Sequence, residues 1–279
     1  MASTDEAREH PLGQQHLSGC LALSRAADWN QNAADWQLML EIGRGYGLSL
    51  ADGSLAATTI TLPYSAQFAW VSMVLVLPDH RRKGYATQLL KRALADLTAA
   101  GCAAVLDATP AGHDVYAAEG FRDTWGFKRF VVQHCGNFEV AAAEVRALQP
   151  TDWPQIAALD LAAFGADRVR LLQSLALRLP VAACVHERAG KIDGFVLGRE
   201  GREANQVGPL VASDAATARL LLGSVLARVQ PPVYVDLVDR EAPLPGFLLQ
   251  RPFTRMVLGA ERAPGNASLV YCPAGPELG

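Results

Sequence analysis

Three consecutive cations, Arg81-Arg82-Lys83, run into Gly84-Tyr85-Ala86-Thr87 and then into a stretch where Leu89, Leu90, Ala93, Leu94 and Leu97 recur at helical spacing. Those residue types in that order make an anion site. The first N–H groups of a helix have no internal partner, and the helix dipole is positive there. Gly84 and the small Ala86 let a ligand approach the backbone, and three cations add long-range attraction for a polyphosphate. A solvated basic turn between a core strand and a surface helix is the alternative reading of the same residues. The loop has neither the GxxxxGK(S/T) pattern of a P-loop nor the three glycines of a dinucleotide fingerprint.

Such a loop needs a strand before it and a helix after it. Ser72 to Leu77 is a short apolar run, long enough for a buried strand and too short for a helix, and Pro78 ends it. Around this centre the pattern predicts an edge strand at Leu17–Leu23, a helix from Asp28 to Ile42 with Trp29 and Trp36 in its apolar stripe, and a hairpin of Tyr46–Leu50 and Leu55–Leu62 about Asp52-Gly53. After the central strand (Ala69–Leu77) and its helix come a buried strand at Ala103–Ala108, a short helix at His113–Glu119 and a β segment at Phe121–Val132 with a turn near Gly126.

Val76-x-Pro78-x-x-Arg81-x-x-Gly84-x-Ala86 leading into an amphipathic helix resembles the acyl-CoA-binding signature of the GCN5-related N-acetyltransferases, the GNAT superfamily, with Ala86 in place of the more usual glycine. Thirty residues after Ala86, Tyr116-Ala-Ala-Glu-Gly120-Phe121 is similar to that family's second signature, YxxxGF. The ordered pair carries more than either motif alone. The resemblance implies an α/β fold with a mixed, mostly antiparallel sheet whose central parallel strands, here 71–77 and 103–108, splay apart to admit the pantetheine arm. It implies main-chain contacts from Val74, Leu75 and Val76, with a strand irregularity freeing an N–H for the thioester carbonyl. Arg81, Arg82, Lys83, Gly84, Tyr85, Ala86 and Thr87 would surround the pyrophosphate. Tyr116 would protonate the leaving thiolate, a role its spacing to Gly120-Phe121 favours over that of a core aromatic with a satisfied hydroxyl. Thr109 stands where some relatives place an asparagine on the pantetheine amides, and it offers a hydroxyl instead. Asp107, His113, Asp114, Glu41 and Asp123 are titratable groups in this half, but a solvated or capping role is favoured over a catalytic one for each, and no general base is assigned.

At 279 residues the chain predicts two domains of ordinary size. We divide it into a flexible N-terminus at 1–15, a catalytic acetyl-CoA-binding domain at 16–137 and a second domain at 138–279. In the second, a strand at Phe138–Leu148 is followed by helices at 152–164 and 167–178, a hairpin of Val181–Glu187 and Lys191–Arg199, and a strand at Ala204–Val211. A helix at Ala215–Val229, a strand at Val233–Val238, a short helix near Phe247–Gln250 and a strand at Thr254–Gly259 complete it. This order repeats the first plan, with Gly208–Ala212 in the central-strand position. The following loop, Ser213-Asp214-Ala215-Ala216, has no glycine or cation and carries an acid suited to capping, so this half is expected not to bind CoA in the ordinary way. Phe164-Gly165-Ala166-Asp167-Arg168, Gly208-Pro209-Leu210-Val211, Arg251–Met256 and Ala274–Gly279 resemble the C-terminal domain of a bacterial tandem acetyltransferase group, the YitH type. Arg168, Arg199, Arg202, Asn205, Gln206, Asp236 and Arg255 either line a substrate pocket or form ordinary salt bridges and caps.

Composition narrows the functions. Net charge is −3 and Arg81–Lys83 is the longest basic run, which argues against nucleic-acid binding. No apolar run reaches membrane-span length, and the polar N-terminus is unlike a signal peptide. Five scattered cysteines with no CxxC pair favour a reducing cytoplasm and no metal site. The expected partners are acetyl-CoA and a small-molecule primary amine, in a monomer or homodimer. A non-catalytic acyl-CoA-binding module and a protein (lysine or N-terminal) acetyltransferase are the alternatives. The sequence is silent on the amine, the acyl-chain preference and the oligomeric state.

Overall fold

Residues 7–134 and 144–279 are described in the computed structural model. They divide into two compact units, the first running through Leu106 with Val257–Ala260 added, the second comprising Asp107–Met256 and Glu261–Gly279. Packing therefore divides the chain differently from chain order, which we cut at 137/138. Cys135 and the start of the strand expected at Phe138–Leu148 lie outside the described residues.

The first unit begins with β1 (Arg8–Leu12), α1 (Leu17–Ala26), α2 (Ala33–Ile42), β2 (Arg44–Ser49) and β3 (Leu55–Pro63). It continues through β4 (Phe68–Val76) and α3 (Tyr85–Ala99) into β5 (Ala103–Ala108). Its strands lie in chain order, antiparallel from β1 to β4, with β4 and β5 parallel. The Asp52-Gly53 hairpin forms as expected, with Gly53 at φ 83° and Asp52 accepting from the Ser54 amide at 2.9 Å. Asn32 caps α2, accepting from the Asp35 amide while Asp35 accepts from the Asn32 amide. That reciprocal cap starts the helix later than Asp28. Trp36 is fully buried, and its indole donates to Ser24 Oγ at 2.9 Å.

Two expectations for this stretch are corrected. Leu17–Leu23 is not an edge strand but the body of α1, which buries Cys20, Leu23 and Ser24 on one face. A short apolar run fits either period, and here the helical one wins. The edge strand is instead β1, inside the stretch we expected to be flexible. Among the described residues it pairs with β2 along one side only, so it has neither apolar alternation nor any bar to Pro11.

The second unit takes α4 (Pro110–Ala118), β6 (Arg122–Val132), β7 (Val145–Ala147), α5 (Trp153–Phe164) and α6 (Val169–Arg178). It adds β8 (Cys184–Arg188), β9 (Lys191–Arg199), β10 (Asn205–Ala212), α7 (Ala215–Leu226), β11 (Val233–Val238), β12 (Phe247–Leu258, in this unit through Met256) and β13 (Val270–Cys272). Its strand order is β12-β6-β11-β10-β9-β8-β7, with β10 and β11 parallel. Ala218, Leu221, Leu222, Val225 and Leu226 of α7 pack on Val196, Val207, Val233 and Val235 of the sheet. Each buried leucine there contributes roughly 1.5–3 kcal/mol.

Two further corrections fall here. β6 runs straight through Gly126, where a turn was expected. A Cβ at that position would overlap the Asp239 carboxylate and press on the Phe253 carbonyl, so the glycine serves close strand approach. Phe247–Gln250 is not a short helix but the start of β12, with the Phe247 ring 5.7 Å from Phe130.

Candidate active site

The loop that follows β4 is built as the sequence requires. Pro78–His80 forms a single helical turn, and the chain then passes through Arg82 at φ 62° and Gly84 at φ 82° before α3 begins at Tyr85. A positive φ at an arginine is a strained choice, of the kind that clusters at ligand sites. Open space surrounds the position a Cβ on Gly84 would take. Arg81, Arg82 and Lys83 are all exposed. The first hydrogen bond along the helix runs from the Gln88 amide to the Gly84 carbonyl at 2.9 Å, so the amides of Tyr85, Ala86 and Thr87 precede the helical ladder. Leu89, Leu90, Ala93 and Leu97 anchor the opposite face of α3, with Leu89 and Ala93 against Tyr46, Leu48 and Ala57.

The strand leading into this loop has an open edge. β4 pairs with β5 only at Phe68–Ala103, Ala69–Ala104 and Trp70–Val105. On its other side β4 stays paired with β3 out to Val76, and there the register shifts, with Ile60 opposite Ser72 and Thr58 opposite Leu75. One extra residue of β4 is thus looped out, with Met73 at φ 51° and its carbonyl accepting from Thr58 Oγ1 at 2.8 Å. Val74 and Val76 are partly exposed. Among the described residues, no strand pairs with the β5-side edge of β4 beyond Trp70. A bulge followed by an open edge leaves main-chain donors and acceptors to a ligand that is itself extended and amide-bearing.

Thr109 and Tyr116 belong to the second unit, and they flank and form α4. Thr109 is the N-cap residue of that helix, without a side-chain cap bond. Tyr116 is half-buried and edge-on to Phe121, the ring centroids 6.0 Å apart. Burial of its phenol pushes the pKa up to about 12, so the group is protonated through neutral pH and is a weaker acid than an exposed tyrosine. Tyr46 is also pushed up to about 12, first by burial and then by its 2.6 Å hydrogen bond to Asp96.

A pH effect follows. A group whose folded pKa exceeds its ordinary value of 10 contributes stability that is fully present below pH 10 and lost as pH rises through about 12. Spectrophotometric titration of phenolate should show two late-ionising tyrosines, with unfolding free energy falling across the same interval. Ionisation of every tyrosine near pH 10 would contradict these environments.

Of the candidate bases, Asp107 is committed elsewhere. Both its oxygens accept from Arg255, at 2.8 and 2.9 Å, and Trp125 covers that guanidinium at 4.1 Å. Burial raises the Asp107 pKa, with Arg255 opposing and Asp236 and Glu277 adding to it. His113 bonds Asp123 at 2.9 Å, and Asp123 first and Asp114 second hold its pKa above the ordinary value. The polar residues singled out in the second half are mostly paired within the second unit. Arg168 grips Asp160, Arg199 pairs with Glu277, and Asp236 accepts from both Arg129 and Gln206. Arg129 had no signal in the sequence, and Glu277 stood only within the terminal stretch that resembles the YitH type, with no role attached. Their partners lie 107 and 78 residues away, beyond any periodicity. Asp214 caps α7, accepting from the Thr217 amide at 2.8 Å, as its sequence position predicts. Among the described residues, no group of His, Cys, Asp and Glu could hold a metal ion, and no helix is long and apolar enough to cross a membrane.

Residues 18–121 match the acetyltransferase (GNAT) family model, and residues 156–272 match an acetyltransferase (GNAT) domain model. The chain is 24% identical over 247 residues to the uncharacterized N-acetyltransferase YitH of Bacillus subtilis (strain 168), covering 87% of this chain and 86% of the relative. Its fold is similar to a putative acetyltransferase from Pyrococcus horikoshii, with TM-score 0.80, 17% identity and coverage of 100% and 98% of the two chains. A tandem GNAT protein from the clavulanic acid biosynthesis pathway superposes with TM-score 0.64 and 15% identity, over 91% of this chain and 98% of that one.

Proposed function

Because the chain belongs to the GNAT acetyltransferase family, with two such domains in tandem, we propose that it moves an acetyl group from acetyl-CoA to a primary amine of a small molecule, by direct attack in a ternary complex. The observation that carries this reading is the β4 bulge at Met73 beside an open strand edge, leading directly into a cationic loop at the N-terminus of α3. The residues present fit the cosubstrate: the open edge suits an amide-bearing arm, and the loop suits a pyrophosphate. Bound acetyl-CoA supplies an activated thioester. The chain supplies the rest. Val74, Leu75 and Val76 hold the arm through main-chain groups, and an N–H released by the bulge polarises the acyl carbonyl. Arg81, Arg82 and Lys83, with the amides of Gly84 to Thr87, take the pyrophosphate, while Thr109 offers a hydroxyl to the arm. Tyr116 gives its proton to the departing thiolate as the C–S bond breaks, while the attacking amine sheds its surplus proton to solvent, from which the phenol is reprotonated; the raised pKa keeps Tyr116 protonated but makes it a weaker acid than an ordinary phenol. The enzyme's main contribution is then proximity and a polarised carbonyl.

The test is thiol release from acetyl-CoA over a panel of primary amines, repeated with Tyr116→Phe. Removing a general acid should lower kcat by roughly 100-fold and leave KM for acetyl-CoA nearly unchanged. An unchanged kcat would make Tyr116 a packing residue. Turnover confined to peptide or protein amines would replace the small-molecule acceptor with a protein one.

A further inference from the structure

In the second unit β10 repeats the two features that mark β4. Its parallel pairing with β11 stops after Asn205–Val233, Gln206–Tyr234 and Val207–Val235. Just beyond, the register against β9 shifts between Val207 and Leu210, so one residue of β10 is looped out at Gly208-Pro209. Here, however, the edge is not open. Leu210 and Val211 pair with Val196 and Phe195 of β9 on one side and with Cys272 and Val270 of β13 on the other. β13 therefore lies on the edge that β11 leaves, and it also touches β11. Every residue from Val270 to Gly279 is buried. A Cβ at Gly208 would overlap the Pro273 carbonyl oxygen, so the segment runs directly over the bulge.

Three arginines fasten it. Arg199 and Glu277 form an ion pair with neither side chain exposed, and Arg199 Nη1 donates to the Ala274 carbonyl at 2.6 Å. Arg168 Nη1 donates to the Gly279 carbonyl at 2.6 Å, and Arg240 donates to the carbonyls of Ala267, Ser268 and Val270.

We propose that residues 270–279 are the resident occupant of the second unit's counterpart of the acyl-carrier slot, with the extended stretch Val270–Cys272 lying where a pantetheine arm would otherwise run and 274–279 folded into a turn beyond it, and that they close that slot to acetyl-CoA. This rests on the reading of β4 as the slot of the first unit. The closed slot agrees with the Ser213-Asp214 loop, whose carboxylate is already used as a helix cap. A peptide strand suits the position because it presents amide donors and acceptors at the spacing an open edge requires.

Amide hydrogen exchange on the full chain, with and without acetyl-CoA, tests it. Without ligand, the amides of Leu210, Val211 and Val270–Cys272 should exchange at least about tenfold more slowly than those of exposed loops. With acetyl-CoA they should not change, while amides at Val74–Val76 slow. Free exchange of 270–272 without ligand, or their release on adding acetyl-CoA, would overturn the proposal. Acetyl-CoA leaving Val74–Val76 unchanged would instead defeat the first-unit reading, and the ligand-free rates would still decide the occupant. Glu277→Gln keeps a hydrogen-bonding group for Arg199 but removes the charge. It should speed exchange at 270–272 about tenfold and leave β2 and β3 unaffected. No change at 270–272 would show that this ion pair does not hold the segment.

Discussion

Replacing Gly84 by glutamate should weaken acetyl-CoA binding by roughly 100-fold or more, with no loss of the folded state. A unit charge about 4 Å from a phosphate oxygen, at an effective dielectric near 20, costs about 4 kcal/mol, and solvent around this exposed loop reduces that figure. The backbone adds a smaller cost, since Gly84 sits at φ 82° and a left-handed non-glycine residue costs roughly 1–2 kcal/mol. Sterics add nothing, because no atom lies within 4 Å of the added Cβ. Gly84→Asn separates these effects: asparagine tolerates the left-handed region and brings no charge, so it should retain binding within about tenfold. Calorimetric titration of both variants gives the answer. Equal losses would assign the effect to the backbone and remove the argument that a pyrophosphate sits there.

Asp236→Ala is expected to cost about 3–5 kcal/mol of stability, a large share of the roughly 5–15 kcal/mol of a typical domain. Asp236 is fully buried and accepts from Arg129 Nε at 2.8 Å, Arg129 Nη2 at 2.7 Å and Gln206 Nε2 at 2.7 Å. Without it a guanidinium, held 5.2 and 5.4 Å from the centres of the Tyr234 and Phe253 rings, is left buried and unneutralised. Urea unfolding of the variant measures the loss. Arg129→Met together with Asp236→Leu should recover most of it, because removing both charges also removes both desolvation costs. A double variant no more stable than the single one would mean that the pair's shape, and not its charge, holds β6 to β11.

What was legible in the sequence was what local chemistry encodes. The loop from Arg81 to Thr87 and the buried stripe of α3 follow from residues within a few turns of one another, as does the Asp214 cap of α7. The irregularity in β4 was expected only through the family resemblance that the following motif carries, and nothing in the strand's own residues shows it. Illegible features depend on distant partners. Leu17–Leu23 and Phe247–Gln250 are short apolar runs whose period is ambiguous, and tertiary packing chose a helix for one and a strand for the other. Gly126 reads as a turn residue until Asp239 and Phe253 are seen beside it. Asp107 could be placed only near the carboxyl end of its strand, because its pairing with Arg255 spans 148 residues. The segment after Val270 has no periodicity, and its burial depends on the edge of β10 and on Arg168 and Arg199, all distant in the chain.

The central claim is that acetyl-CoA occupies the first unit along the open edge of β4 and the loop before α3. Its most direct test is a crystal structure of the full chain with acetyl-CoA bound. The account predicts one molecule per chain, its arm bonded to the main chain of Val74–Val76 and its pyrophosphate against the amides of Gly84–Thr87. Acetyl-CoA found along β10 in place of residues 270–279, or bound without touching β4, would contradict it.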